Sequence, residues 1–440
     1  MTATTLPSLE EVRAVTGRLG GWGQGLDDAG RIDLIRALEE LKCAAEGAQA
    51  ELTADFDRSQ REAAARRGEP SERQGRGIAH QVALARRESP HRGQRHVGLA
   101  RTLRTELPCT RAALRSGRIT EWKATIVARE TACLSREHRM MADEMVAGDP
   151  AKIEAMGERE LVGAILDLSS RLEPAAVAER RRRAEADRHT SLRPAPDTMT
   201  WHGALLPVKD GVAVHKALLD EADRLKAAGD PRSRGAIMAD TLVRRVLAPH
   251  IAGADRPAEL PLMINVVVPD SVLLGDSDAA GFVDGYGPVP GELLREWIAS
   301  HAEDGVMDWV RRLYRQPATG QLVAMDKDGR RFEGKLAKYL RLRDRYCRNP
   351  WCNAPIRHLD HAKDAAKGGK TSARNAQGLC EACNHAKQAH GWTATPVDGP
   401  VHTIEIVTPT GHRYLSTVPT NGPPIWMEIY PNAVRLELAS

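Results

Sequence analysis

Two tight pairs of cysteines constrain this chain more than any other feature. Four residues separate Cys347 from Cys352, two separate Cys380 from Cys383, and twenty-seven lie between the pairs. Each pair can close a short turn around a metal ion, and the spacing predicts a structural zinc held tetrahedrally by all four thiolates. Zinc binding supplies on the order of 10 kcal/mol to a segment with little core of its own. A disulfide is the alternative use of such pairs. The N-terminus, MTATTLPSLEEVRAV, has neither the basic start nor the apolar core of a secretion signal, so a cytoplasmic chain is expected. A reducing compartment favours metal over disulfide. Cys43, Cys109 and Cys133 stand alone in helical stretches and read as small buried hydrophobes.

The 440 residues exceed one hydrophobic core, so two or three domains are expected. A content of 42% hydrophobic but only 4% aromatic residues favours helices packed through Leu, Ala and Val. The expected class is α+β, with a large mainly helical N-terminal domain, a small zinc-stabilised module and a short β-rich tail. The most apolar run, 262–268, is far shorter than the roughly 20 residues of a membrane span, so no membrane association is expected.

Residues 1–26 read as a short segment and linker. From Arg31, Leu34, Leu38, Leu41, Ala45, Ala48, Leu52 and Phe56 recur at steps of three and four, which predicts one buried helix face. Further helices are expected over 78–87, 96–107, 109–117, 120–132, 136–147, 150–168, 174–187, 212–227, 234–247, 290–300 and 335–345. Strands are expected over 198–207 and 262–268, a hairpin over 310–331, and strands over 401–407 and 412–417. The apolar alternation in 425–438 suggests a further β element. The Arg180, Arg181, Arg182, Arg183 run is flanked by Glu179, Glu185 and Asp187 and reads as a solvated, salt-bridged helix face. The expected boundaries are 27–300 for the helical domain, 301–340 for a connecting hairpin and helix, 341–395 for the zinc module and 396–440 for the tail. AKGGKT ends like a phosphate-binding loop, but the first glycine of that motif would fall on Asp364, so it reads as an ordinary loop.

Between the cysteine pairs the residue types fall in a recognisable order. Asp360-His361, thirteen residues, Asn375, eight residues and Asn384, with the Gly368-Gly369 turn and the CNHAK run, resemble the HNH endonuclease motif of the ββα-metal family. RLRDRYCRNPWC and the long helical part resemble the bacterial type, in which a helical domain of unknown function precedes the HNH domain. The resemblance implies two strands and a helix over the last quarter of the chain, and hydrolysis of DNA phosphodiester bonds.

The roles follow from that chemistry. An unperturbed histidine titrates near 6.5, so His361 is the expected general base. Mg²⁺ or Mn²⁺ wants oxygen ligands, which Asp360 and Asn384 would supply. His385 is the alternative to Asn384, since many family members carry histidine at the last metal position. Asn375 is expected to hold the loop and orient His361. A zinc-stabilised nucleic-acid-binding protein without cleavage is the rival function.

The overall charge of +4 is a weak footprint for nucleic acid. Residues 341–390, however, hold ten basic and four acidic residues, an excess of six that leaves the remainder of the chain at −2. That local excess predicts a phosphate-binding surface and double-stranded DNA as partner, with Lys387, His390, Lys370 and Arg374 as contacts. Lys387 and His390 are expected to share a helix face. The helical domain could dimerise. Its histidines (His80, His91, His96, His138, His189, His202, His215 and His250) form no evident ligand set.

Overall fold

A computed structural model of the chain describes residues 8–22, 25–251, 266–267, 272, 277–283, 286–303, 332, 334–419, 429–430 and 433–434. These fall into two compact units, Met1–Ala178 and Glu179–Ser440. The helical stretch expected as one domain over 27–300 contributes to both.

The first unit is helical. Its elements are α1 (Leu9–Arg18), α2 (Asp28–Arg66), α3 (Ile78–Arg86), α4 (Pro90–Thr105), α5 (Pro108–Arg115), α6 (Glu121–Glu130), α7 (Arg136–Ala147), α8 (Pro150–Ala155) and α9 (Glu158–Leu172), with α10 (Pro174–Ala186) crossing into the second unit. Ser8, Asp27, Ser89, Thr120, Ser135 and Asp149 each accept a first-turn backbone N–H, which is why these helices begin where they do. The single helix expected over 150–168 is two helices. Met156 is extended, and Gly157 starts α9.

The buried face of α2 also differs from the expected one. Leu41 and Leu52 are 43% and 58% exposed, while Cys43, Gly47, Ala50, Thr53, Ala54 and Asp57 face inward. The reason is close helix contact: a Cβ on Gly47 would lie 2.9 Å from Arg115 Cα. Small residues let α2 approach α5 as the larger leucine stripe would not. The core joins Leu103, Leu107, Leu114, Ile126, Ile153, Leu161 and Ile165. Leu107 gives α5 no side-chain cap, and the fully buried Asp143 replaces one by accepting from the N–H groups of Cys109 and Thr110 and the Thr110 hydroxyl. Burial raises the Asp143 carboxyl above its ordinary pKa, a rise these bonds oppose.

The second unit opens with an antiparallel pair, β1 (His189–Pro194) and β2 (Thr200–Leu205), and a helical hairpin, α11 (Val208–Ala227) and α12 (Arg234–Ile251). Just before them, Arg182 and Arg183 pair with Glu179, and Arg181 with Glu185, so the arginine run is the solvated face expected of it. A small sheet follows in the order β3 (Val266–Val267), β4 (Gly281–Val283), β5 (Gly287–Val289), then α13 (Gly291–Glu303) and α14 (Gly334–Asp344). The hairpin expected over 310–331 lies outside the described residues, as do 262–265 and 268 of the expected strand.

The last part positions the site. Strands β6 (His358–His361) and β7 (Ala376–Leu379) pair antiparallel, with Asp360 opposite Gln377 and His361 opposite Ala376. Helix α15 (Glu381–Lys387) packs on β6, and α14 packs on β7 through Leu336, Leu340, Ala373 and Ala376. A meander in the order β10 (Arg413–Thr417), β9 (Thr403–Val407), β8 (Thr393–Val397) follows, then the short pair β11 (Ile429–Tyr430) and β12 (Ala433–Val434). The buried Asp344 carboxylate ties these parts together. It pairs with the buried Arg343 and Arg348 and accepts from Gly378 N–H at 2.6 Å. Arg348 reaches on to the Ser416 hydroxyl and carbonyl, fixing the meander to the cysteine segment. Among the described residues no helix is long and apolar enough to cross a membrane.

Candidate functional site

The four cysteines converge. Their sulfurs all lie within 4.8 Å of one another, with Cys352 Sγ 3.7 Å from both Cys380 Sγ and Cys383 Sγ. A tetrahedron with a Zn–S bond of about 2.3 Å has an edge of about 3.8 Å, so the spacing fits that ion. Local geometry explains how the pairs close. Cys347 N–H donates to Ala354 O and Cys352 N–H to Asn349 O, with Trp351 and Asn353 at positive φ turning the chain. The second knuckle is a helix start: Cys380 is the N-cap of α15, and its sulfur accepts Cys383 N–H. Hydrogen bonds from the neighbouring thiols hold the Cys380 thiol far below its ordinary pKa and lower that of Cys352 too. The cluster can hold a metal ion such as zinc.

The loop between the knuckles carries the other expected residues. His361 is buried at the end of β6. Its Nε2 lies 2.9 Å from Thr371 Oγ1, and its ring packs 4.7 Å from the Phe332 ring. Asp360 Oδ1 accepts His361 N–H at 2.8 Å. Asn375 is buried, and its amide bonds the backbone: Lys363 N–H donates to Oδ1, while Nδ2 donates to Lys363 O and Lys370 O. It therefore closes the 363–370 loop through the backbone. These side-chain bonds go to the loop and none of them to the His361 ring. Gly369 completes the clasp, since a Cβ there would lie 1.8 Å from Lys363 O.

Asn384 and His385 are placed differently. Asn384 Oδ1 is buried and has no hydrogen-bond partner among the described residues. Three positions along α15, on the same helix face, Lys387 reaches Asp360. His385 is exposed and lines a shallow surface groove with Arg357, Glu381 and Ala354. An orphaned buried acceptor fits a cation ligand, and Asn384 is the residue that has one.

The expected nucleic-acid contacts need correction. Lys387 is not a surface contact. Its side chain is 10% exposed, and Nζ donates to Asp360 Oδ2 at 2.8 Å, Asp364 Oδ1 at 2.9 Å and the His361 carbonyl. Burial opposes ionisation of Asp364, but the bond and charge of Lys387 outweigh it and hold that carboxyl below its ordinary range. Nor do Lys387 and His390 share a helix face, because α15 ends at Lys387 and His390 lies in the turn beyond. Arg374 pairs with Asp398, and Lys370 is exposed. Much of the basic excess of 341–390 is thus internal, spent in Arg343, Arg348 and Lys387.

Sequence reasoning missed Asp364, Thr371 and the inward turn of Lys387. Asp364 stands four residues after Asp360 and three after His361, a spacing that could have signalled a shared site.

Comparison of the chain with curated proteins and with solved structures yields no match. A family model described as "Domain of unknown function (DUF222)" matches residues 35–344 and ends at Asp344, three residues before the first cysteine of the cluster. With well over half of its length matched, the chain belongs to the DUF222 family of domains of unknown function.

Proposed function

We propose that the protein is a metal-dependent endonuclease of the HNH type, hydrolysing phosphodiester bonds in double-stranded DNA. One observation supports the reading: the strand pair carries Asp360 and His361, Asn375 closes the loop that follows them, and the helix that bears Asn384 packs on β6 beside the four-cysteine cluster.

In this reading Asp360 and Asn384 would hold Mg²⁺ or Mn²⁺, and the unpaired Asn384 Oδ1 supports that assignment. The bound ion would supply charge neutralisation at the phosphate and the leaving oxygen. His361 takes the proton of the attacking water at a ring nitrogen. Thr371 Oγ1 and Phe332 fix the plane of that ring, so it meets the water already oriented. Asn375 keeps the 363–370 loop closed beside it. The cysteine cluster, loaded with zinc, holds the helix end against the strands and takes no part in the chemistry.

A second reading, a zinc-stabilised nucleic-acid-binding protein without cleavage, draws support from Lys387, which already neutralises Asp360. Supercoiled plasmid separates the two. A nuclease yields nicked or linear product with Mg²⁺ or Mn²⁺ that EDTA abolishes; binding without product under any divalent metal favours the second reading.

A further inference from the structure

The Lys387 ammonium group sits where a cation would sit. Three oxygens surround it, Asp360 Oδ2, Asp364 Oδ1 and the carbonyl of His361, and two of the three belong to the residues expected to carry the chemistry. The two carboxylates bring a charge of −2, Lys387 returns +1, and Lys367, whose Nζ lies 3.2 Å from Asp364 Oδ2 on the exposed side, returns the other. The inner position among the oxygens is therefore held by Lys387 alone, and Asp360 Oδ2 is bonded to it. Charge-assisted bonds of this kind are among the strongest available to a side chain. An ammonium group and a divalent ion cannot occupy the same point among these three oxygens, and their like charges repel at that range.

We propose that Lys387 is the resting occupant of the Asp360–Asp364 oxygen cluster, and that a divalent cation binds by displacing it. The inference rests on the reading of Asp360 as a metal ligand. It adds an exchange step in which Nζ leaves, Asp360 Oδ2 is freed, and Asn384 Oδ1 completes the oxygen set from the same face of α15. Lys387 is then a positioning residue that sets the metal concentration at which the site loads. Removing the competing charge should tighten metal binding. If the lysine-out state is at most a tenth of the resting population, the gain is about tenfold or more.

Two measurements on the zinc-loaded full chain test this. In the first, Mn²⁺ affinity is read by titration calorimetry for wild type, Lys387→Met and Asp360→Asn. Lys387→Met should bind Mn²⁺ about tenfold more tightly than wild type or better, and Asp360→Asn should not bind it. Equal or weaker binding by Lys387→Met, with Asp360→Asn still abolishing it, overturns the lysine exchange and leaves the metal reading intact. Absence of Mn²⁺ binding in wild type and Lys387→Met alike overturns both. The second measurement needs no variant and decides the matter if Lys387→Met loses zinc or fails to fold. Acetylation of wild-type lysines by an activated ester is followed by mass spectrometry. Lys387 should label far more slowly than the exposed Lys363 and Lys370 without Mn²⁺, and several-fold faster once Mn²⁺ saturates the protein. Labelling of Lys387 that saturating Mn²⁺ leaves unchanged contradicts the exchange.

Discussion

Lys387 Nζ lies 2.8 Å from Asp360 Oδ2, so helix α15 and strand β6 are joined by an ion pair at the centre of the candidate site. The helix is short, seven residues, and cannot hold its own position by propensity. What holds it is this pair at its last residue and the cysteine cluster at its first turn.

The cluster should therefore carry the local fold. Freshly purified protein should contain roughly one zinc per chain, as a four-cysteine site demands. Cys380→Ser removes a ligand while leaving a side chain that can still cap α15, and should lose most of that zinc. Limited proteolysis should then cut within 347–392, where wild type resists. Full zinc content and unchanged resistance in the variant would remove the structural-zinc account.

Asn375 tests the loop clasp. Asn375→Ala strands the Lys363 N–H and two carbonyls, and should cost about 3 kcal/mol at roughly 1 kcal/mol per broken hydrogen bond. Urea denaturation monitored on the tryptophans reads the loss. Gly369→Ala should act alike, since its Cβ meets Lys363 O. A change under about 1 kcal/mol in both would mean the loop is held by something else.

His402 gives the meander a pH dependence. Burial, then the charges of Arg343 and Arg348, push its pKa down from 6.5 to about 4, while Nε2 donates to Arg374 O. A base whose pKa falls on folding binds protons more readily when unfolded. Its contribution is complete above 6.5 and is lost as pH falls from 6.5 towards 4. The difference in melting temperature between wild type and His402→Gln should narrow across that window. A constant difference would contradict it.

For DNA, Lys363 and Lys370 are exposed lysines of the loop, flanking Lys367, which pairs with Asp364. Changing both to Gln should lower the slope of log affinity against log salt by about 2, one for each phosphate left without its lysine. Fluorescence anisotropy on a duplex measures it, and an unaltered slope would place the DNA-binding surface elsewhere.

What is legible in the sequence is whatever chemistry packs into short spacing. Each cysteine pair needs only a local turn to close, and Asp360-His361, Asn375 and Asn384 lie on one strand, the loop beside its partner strand and one helix. Lys387 is harder, because a lysine in a basic stretch looks like surface until its partners are known. Asp364 lies 23 residues away, and its pairing is a product of the fold. Arg343 and Arg348 resemble footprint for the same reason. On α2 the large residues of the leucine stripe outweigh Gly47 and Ala50 in the pattern, yet close helix contact selects the small ones. Strand β8 escapes notice because Pro396 weakens the pattern; it survives as the edge of its sheet, where a proline's missing N–H is tolerated.

The central claim is that His361 activates water for phosphodiester hydrolysis. Plasmid cleavage by wild type and His361→Ala, each zinc-loaded and supplied with Mn²⁺, tests it most directly. The account predicts a loss of about 10²- to 10⁴-fold in the variant, the usual worth of a general base. Equal cleavage by both proteins, or none by wild type with either Mg²⁺ or Mn²⁺, would contradict it.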